Sequence, residues 1–398
     1  GYAGCAARLT DRRHLPRARR VVNNKTDKIS PQLAGSQAGS LADAAVYIGR
    51  FQVFHLGHLG MLRAALERAR LCVVVIGSAH QARTPKNPFT WQERAQMICC
   101  NLSPEDQARV LFVPVRDYYD TPRWEVAVRQ DVQALLARHG LPDARPLLIG
   151  HFKDISSQYL HGFEGWPLVS LDRIRAGERA LHDASQLRDG LFALGQQASA
   201  TVWLALGEQV PPGTLEFLRG TVSQPWFAEM AEEWRMLRAY WASWSAAPYP
   251  PTFVTTDALV LSDGHVLLVQ RGELPGRGLY ALPGGFLNPN ESLVQGARRE
   301  LLEETGLALS AALVPAASAV FDHPDRSLRG RTITHAFLWR LDHPASALPA
   351  VQGQDDAAHA VWVPVAQLQG MEDRFFDDHF HMLVKLLGLD YPVYAPTN

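Results

Sequence analysis

Apolar residues fall into two textures along this chain, and the change between them marks its organisation. From residue 44 the pattern is an apolar run (44–48), a glycine-bearing turn (49–60), apolar positions at helical spacing (61–69) and a second apolar run (71–76). Strand, turn, helix, strand is a βαβ unit opening a parallel sheet. Further βα material follows, with helices predicted over 93–100 and 124–139 and strands over 110–115 and 146–150. Trp226, Trp234, Trp241 and Trp244 recur at helix-like intervals over 225–245, and Pro248, Pro250 and Pro251 then break the chain. A boundary is placed there. Beyond it, 255–261 and 265–270 read as paired strands, 292–305 as one long helix, and 332–340 and 359–363 as further strands, a mixed α+β pattern. No tandem repeat is present.

Length agrees with more than one core, since 398 residues exceed what a single core usually spans. Lys and Arg total 39 against 40 Asp and Glu, with 47% hydrophobic and 20% charged residues, which excludes a wholly disordered, collagenous or histone-like chain. No apolar run reaches the roughly 20 residues that span a bilayer, so no membrane association is expected. Cys5, Cys72, Cys99 and Cys100 lie in no metal-ligand spacing and are too few to staple the chain, so reduced thiols in a cytoplasmic enzyme are expected. Residues 1–41 differ. Arg8, Arg12, Arg13, Arg17, Arg19, Arg20, Lys25 and Lys28 face only Asp11 and Asp27, and a Gly/Ser-rich stretch follows, the composition of a disordered basic tail. An organellar transit peptide is the minor reading, because no apolar face accompanies the arginines. Specific nucleic-acid binding is not expected, since charge attraction alone is unspecific.

The turn after the first strand carries Gly49, Arg50, Phe51, Gln52, Val53, Phe54, His55, Leu56, Gly57 and His58. His55 and His58 are three apart at a helix start, where free backbone N–H groups and the helix dipole favour phosphate. Such a pair suits attack by a phosphate of one substrate on the α-phosphorus of a nucleoside triphosphate, which needs positioning and charge neutralisation more than a protein nucleophile. Surface histidines beside a turn are the bland alternative. No GxGxxG follows the first strand, and no Walker loop is present. At these residues the sequence resembles the nucleotidyltransferase superfamily, with its (H/T)xGH signature, and within it the nicotinamide-mononucleotide (NMN) adenylyltransferase branch. The resemblance continues through Arg83 and Thr84, then Lys86 to Thr90 with Glu93 and Arg94, and through Gly150, His151, Phe152, Lys153 and Asp154. It implies that Gly49, Arg50, Phe51, Gln52, Arg83, Asn87, Gly150, Lys153 and Asp154 line a pocket for ATP and NMN. Ser185 and Arg188 are similar to the second signature, ISxTxxR, with Ser in place of Thr, which implies a helix cap and a grip on the triphosphate. Trp124 stands where that family sets an aromatic ring against nicotinamide; packing at the head of a helix is its alternative. Asp117, Tyr118 and Tyr119 precede it without an assigned role.

In the second half, Gly285, Glu291, then Arg299, Glu300, Leu301, Leu302, Glu303, Glu304, Thr305, Gly306 and Leu307 match every specified position of the Nudix pattern. At about 100° per residue, Glu300, Glu303 and Glu304 fan over one side of a helix, beside an apolar stripe of Val294, Ala297 and Leu301. Such carboxylates repel one another unless divalent cations neutralise them, and hard oxygen ligands suit Mg²⁺ or Mn²⁺. A solvated Glu-rich helix is the alternative. The Nudix resemblance implies that Gly284 and Gly285 help hold the helix and a pyrophosphate, that Glu291 and Arg299 pair, and that Glu303 and Glu304 act in catalysis. It also implies a general base on a later loop, with Asp355, Asp356, Glu372 and Asp373 as candidates and the Asp355–Asp356 pair preferred. Residues 322–331, Arg326 among them, look like a loop presented to ADP-ribose.

The order of parts resembles the bifunctional bacterial NMN adenylyltransferase/Nudix hydrolases over residues 42 to 392. The implied fold is α/β: a Rossmann-like nucleotidyltransferase domain with a parallel sheet (42–246), then an α+β Nudix domain, an α/β/α sandwich (247–398). The implied activities are NAD synthesis from NMN and ATP, and Mg²⁺- or Mn²⁺-dependent hydrolysis of ADP-ribose to AMP and ribose 5-phosphate. Two alternatives stay open: a Nudix domain that only senses nucleotides, or one that cleaves NADH or a dinucleoside polyphosphate. Oligomeric state, a homo-oligomer included, is left open.

Overall fold

The computed structural model describes residues 41–150, 162–170, 184–194 and 200–394; the basic stretch 1–40 lies outside them. β1 (Ala42–Gly49), β2 (Ala69–Ile76), β3 (Val110–Pro114), β4 (Leu147–Gly150) and β5 (Leu168–Ser170) form one sheet in the order β3-β2-β1-β4-β5, every pairing parallel. A parallel sheet is buried on both faces, which is why these strands read as continuous apolar runs. In β2, Cys72, Val74 and Ile76 enter one core with Leu62, Met97 and Phe227, while Val73 and Val75 enter another with Val128, Val132 and Leu136. The strand order reverses between β1 and β4. Ligands of open α/β sheets bind outside the carboxyl ends of strands at such a switch point, and here that point holds the turn after Gly49 and the end of β4 at Gly150.

The helix after β1 runs Leu56–Leu66 rather than 61–69. It starts early because His55 caps it, and it stops early because Ala69 already pairs with Ala42 in the sheet. The helix predicted from the tryptophans spans Pro225–Ser243 and bridges the two halves. Phe227 and Ala231 lie in the first core, whereas the Glu233 carboxylate accepts from Gly276 N (3.0 Å) and Trp241 Nε1 donates to Leu328 O (2.9 Å).

The second sheet comprises β6 (Thr252–Ser262), β7 (His265–Arg271), β8 (Tyr280–Ala281), β9 (Gly284–Phe286), β10 (Ala317–Phe321), β11 (Arg331–Leu341) and β12 (Ala357–Pro364). Its path is β10-β11-β6-β7-β12, with β8 on β7 and β9 on β6; β11 and β6 run parallel, the other pairs antiparallel. Helix Leu293–Thr305 covers one face through Ala297 and Leu301 against Val260, Leu267 and Trp339. Helix His379–Leu387 covers the other through Phe380 and Leu383 against Leu259, Leu268 and Leu338. Sheet between helices is the expected α/β/α sandwich. The sequence reading missed His379–Leu387 because its apolar face is short and is interrupted by two histidines.

Leu301 is fully buried where the carboxylate helix docks. Leu301→Ala should destabilise the fold by roughly 2–5 kcal/mol, readable as a lower midpoint in urea unfolding; a change below about 0.5 kcal/mol would contradict this docking.

Candidate functional site

The turn after β1 is held from beneath by two buried side chains. Gln52 Nε2 donates to Phe89 O (2.9 Å) and its Oε1 accepts from Phe89 N (3.0 Å). Arg94, 1% exposed, donates to the carbonyls of Arg50 and Gly77 (both 2.7 Å) and Ser78 (3.0 Å). Gly49 is required by a close approach: a Cβ there would lie 2.8 Å from the Phe51 ring. Phe51 itself takes φ 53°, costly for an aromatic residue and tolerated where the surroundings impose it.

His55 and His58 cap each other. His58 N donates to His55 Nδ1, His55 N donates to His58 Nδ1 (both 3.4 Å), and the rings stack with centroids 3.7 Å apart. Burial, reinforced by His55, holds the His58 pKa well below its ordinary value, so the ring is neutral. Accepting at Nδ1 leaves its proton on Nε2, and the ring also hydrogen-bonds the Val53 backbone. Arg188 donates to Gln52 O and to Ser185 Oγ (3.1 Å), which brings the second signature onto the first.

Beside this turn lies a cavity of about 650 Å³ lined by Arg50, Arg83, Asn87 and Trp124 from the parallel-sheet half and by Asp325 and Phe376 from the other. Two polar atoms of its lining residues, Asn87 Oδ1 and Gln81 Nε2, are buried without a partner. Arg83 is anchored: it makes a two-pronged ion pair with Glu93 (2.6 and 2.8 Å) and lies 4.0 Å over the Trp226 ring. Lys153 and Asp154 lie outside the described residues.

In the second half, Arg299 organises the carboxylates. Its guanidinium meets Glu291 (2.6 Å), Glu300 (2.7 Å) and Glu303 (2.8 Å) and donates to Phe286 O. Arg299 holds the Glu291 pKa down at about 2. Gly285 lies so near Glu300 that a Cβ would sit 2.6 Å from its oxygen, and at Gly284 one would sit 2.4 Å from Asp257. Gly284 N donates to Glu304 (2.9 Å). Asp355 adopts φ 54°, and Asp356, the next residue, hydrogen-bonds Glu304. Arg271 lies 4.3 Å over Phe376, and Arg329 lies over Phe286 and Phe376 with its Nε buried and unpartnered.

Residues 251–386 match the NUDIX domain family and residues 46–119 the Cytidylyltransferase-like family. The nicotinamide/nicotinic acid mononucleotide adenylyltransferase of Acinetobacter baylyi is 35% identical over 193 residues, 48% of this chain and 94% of that protein. An ADP-ribose pyrophosphatase of Methanocaldococcus jannaschii is 36% identical over 107 residues, 27% of this chain and 59% of that protein. The crystal structure of a bifunctional NMN adenylyltransferase/ADP ribose pyrophosphatase from Francisella tularensis, complexed with AMP and a Mn ion, superposes with a TM-score of 0.77 at 31% identity, covering 87% of this chain and 99% of that one. This chain belongs to the bifunctional NMN adenylyltransferase/Nudix family.

Within that family frame, the structure brings together His55, His58, Ser185, Arg188 and Gln52 on one side of the turn, and Arg50, Arg83, Asn87 and Trp124 around the cavity. Gln52 is turned to the Phe89 backbone rather than to a ligand, and Phe51 is 1% exposed, so both shape the turn from behind. The Nudix residues differ from expectation in three respects. Arg326, expected to meet substrate, is 4% exposed and pairs with Asp378 at 2.7 Å, because the loop folds inward onto helix His379–Leu387. Glu303, expected among the metal ligands, is turned to Arg299. Glu372, one candidate base, is buried against Arg116 (3.1 Å). Among the described residues no three metal-binding side chains are already gathered as a cation site. Arg271, Phe376 and Arg94 were missed by the sequence reading: a lone arginine ending a strand carries no motif, and Arg94 was noted only for its place in a family segment.

Glu304 is buried and hydrogen-bonded to Asp356. Burial first, then Asp356, push the Glu304 pKa from the ordinary 4.5 up to about 10. A carboxyl raised on folding stabilises fully below about pH 4.5 and loses that contribution as pH rises toward about 10. Chelator-treated protein should therefore show a Tm that falls between pH 6 and 9. Glu304→Gln should flatten the slope; an unchanged slope in that variant would sever the link.

Proposed function

We propose that the parallel-sheet half transfers the adenylyl group of ATP to nicotinamide mononucleotide, giving NAD and pyrophosphate, and that the mixed-sheet half hydrolyses ADP-ribose to AMP and ribose 5-phosphate. The observation that carries the first reading is the stacked His55–His58 pair at a helix N-terminus on the switch point, with Arg188 against the same turn. An oxygen of the mononucleotide phosphate attacks the α-phosphorus while the bond to the β-phosphate breaks and pyrophosphate leaves. The His58 ring, His55 beside it and the helix terminus stabilise the charge that develops, and Arg188 steadies the leaving phosphates. Arg50 and Asn87 bind the acceptor, and Trp124 offers a ring face for the nicotinamide. Gly150, at the end of β4, leaves room for backbone to approach the nucleotide, with Lys153 and Asp154 assigned to the same pocket by family resemblance alone.

For the second reading, the donor set fits a divalent cation: it is all oxygen, with Glu300 and Glu304 buried and Asp356 hydrogen-bonded to Glu304. Glu304 would hold it, with Glu300 and Glu303 joining on release from Arg299, and Mg²⁺ or Mn²⁺ would polarise the diphosphate and acidify water. Asp356, hydrogen-bonded to Glu304, accepts the proton from the attacking water, with Asp355 beside it in the chain. Arg329 and Arg271 suit the diphosphate, and Phe286 and Phe376 offer faces beside them. Glu291 and Arg299 keep Gly284 and Gly285 in place. We assign residues 42–246 and 247–398 to the two domains.

His58→Ala should lower NAD formation by about 100-fold or more and leave AMP release from ADP-ribose intact, while Glu304→Gln should do the reverse. Parallel chromatography of both products checks this. Loss of both activities in either folded variant would refute two separate centres.

A further inference from the structure

The segment between β3 and helix Thr121–Arg138 carries Asp117, Tyr118 and Tyr119 into the cavity and leads to Trp124. Its own half ties it at the start, where Val115 bonds Ile76 and Ala79 and Tyr118 packs on the core, and the other half meets the rest. Arg116 Nε meets Glu372 (3.1 Å), the two side chains 6% and 3% exposed, and its Nη2 donates to Pro392 O (2.7 Å). Its guanidinium also lies 5.1 Å from the Tyr391 ring. Tyr118 packs edge-on against the same ring (5.0 Å), and Arg123, one residue before Trp124, lies over it at 4.4 Å. Tyr119 packs edge-on against His323 (5.3 Å) and His381 (4.9 Å). Its φ of 53° is rare for a bulky side chain and persists where neighbours dictate it. The opposite rim leans the same way, since Lys86 Nζ pairs with Asp325 at 3.1 Å and His80 stacks on Tyr394 at 3.9 Å.

We infer that the hydrolase half is a working part of the transferase's acceptor site, and that Tyr391 is a positioning residue for binding of the mononucleotide. This rests on the adenylyltransferase reading above. Tyr391 touches no catalytic group; it offers one ring to Tyr118, Arg116 and Arg123, and so braces the loop and first turn of the helix that carry Trp124. A loop already held in its binding conformation does not lose that freedom when the ligand arrives. The ATP side, at His55, His58 and Arg188, has no such contacts with Tyr391, so the effect should fall on one substrate.

The test is steady-state kinetics on the full chain. Tyr391→Ala should raise KM for NMN about tenfold, the loss of two cation–π contacts and one ring-packing contact, with KM for ATP and the rate of ADP-ribose hydrolysis within about twofold of wild type. Tyr391→Phe keeps the ring and should restore KM for NMN, although it loses the hydroxyl bond to His381 Nδ1 (2.9 Å). If Tyr391→Ala fails to fold, Asp325→Ala at the exposed rim replaces it, with weaker NMN binding by calorimetric titration as the expected result. An unchanged KM for NMN, an equal rise for both substrates, or no restoration by phenylalanine would overturn the inference. Wild-type protein that makes no NAD would instead sink the transferase reading itself.

Discussion

A guanidinium taken out of water joins the two halves of this molecule. Arg116 faces Glu372, the carbonyl of Pro392 and the rings of Tyr391 and Tyr394, and these contacts offset the cost of its burial. Burial pushes the Glu372 pKa up to about 7, with Arg116 pulling it back. Such a pair contributes little net stability over an apolar substitute, yet removing one partner costs about 3–5 kcal/mol, because the other is left buried alone. Its value is geometric. It sets the loop ahead of Trp124 against the second half, and the cavity between the halves has its shape because of that contact.

The two centres answer opposite electrostatic problems with the same means, backbone and arginine. On the parallel sheet, the proposed anionic substrates would meet a helix N-terminus, the stacked His55–His58 pair and Arg188. Arg94 supports the turn from inside without touching the ligand space. On the mixed sheet, Arg299 neutralises neighbouring carboxylates by pairing with Glu291, Glu300 and Glu303. Glu304 stays apart, buried and hydrogen-bonded to Asp356. Phe376 lies between the two regions, lining the cavity on one side and lying under Arg271 and Arg329 on the other.

Much of this was legible in the residues because it is local. The apolar run of β2, the glycine turn with His55 and His58, and the carboxylate spacing from Gly285 to Leu307 are each short-range patterns tied to one element. The inward turn of Arg326 was not legible, since its partner Asp378 lies on a distant helix. Nor was the role of Glu372: a carboxylate on a late loop reads as a candidate base until Arg116, far away in sequence, is seen against it. Strands β8 and β9 were missed because they are too short to show alternation, and β10 is edge material with mixed exposure. Sequence periodicity records which face a residue turns to its own core, and it is silent on which other element occupies that face.

The account stands most directly on one incubation of the wild-type protein. Given NMN, ATP and a divalent cation in one vessel, and ADP-ribose with the same cation in another, chromatography should find NAD with pyrophosphate in the first and AMP with ribose 5-phosphate in the second. Both product pairs appearing is the predicted result. Intact ADP-ribose beside normal NAD formation would contradict the hydrolase assignment, and absence of NAD would contradict the assignment of the histidine turn.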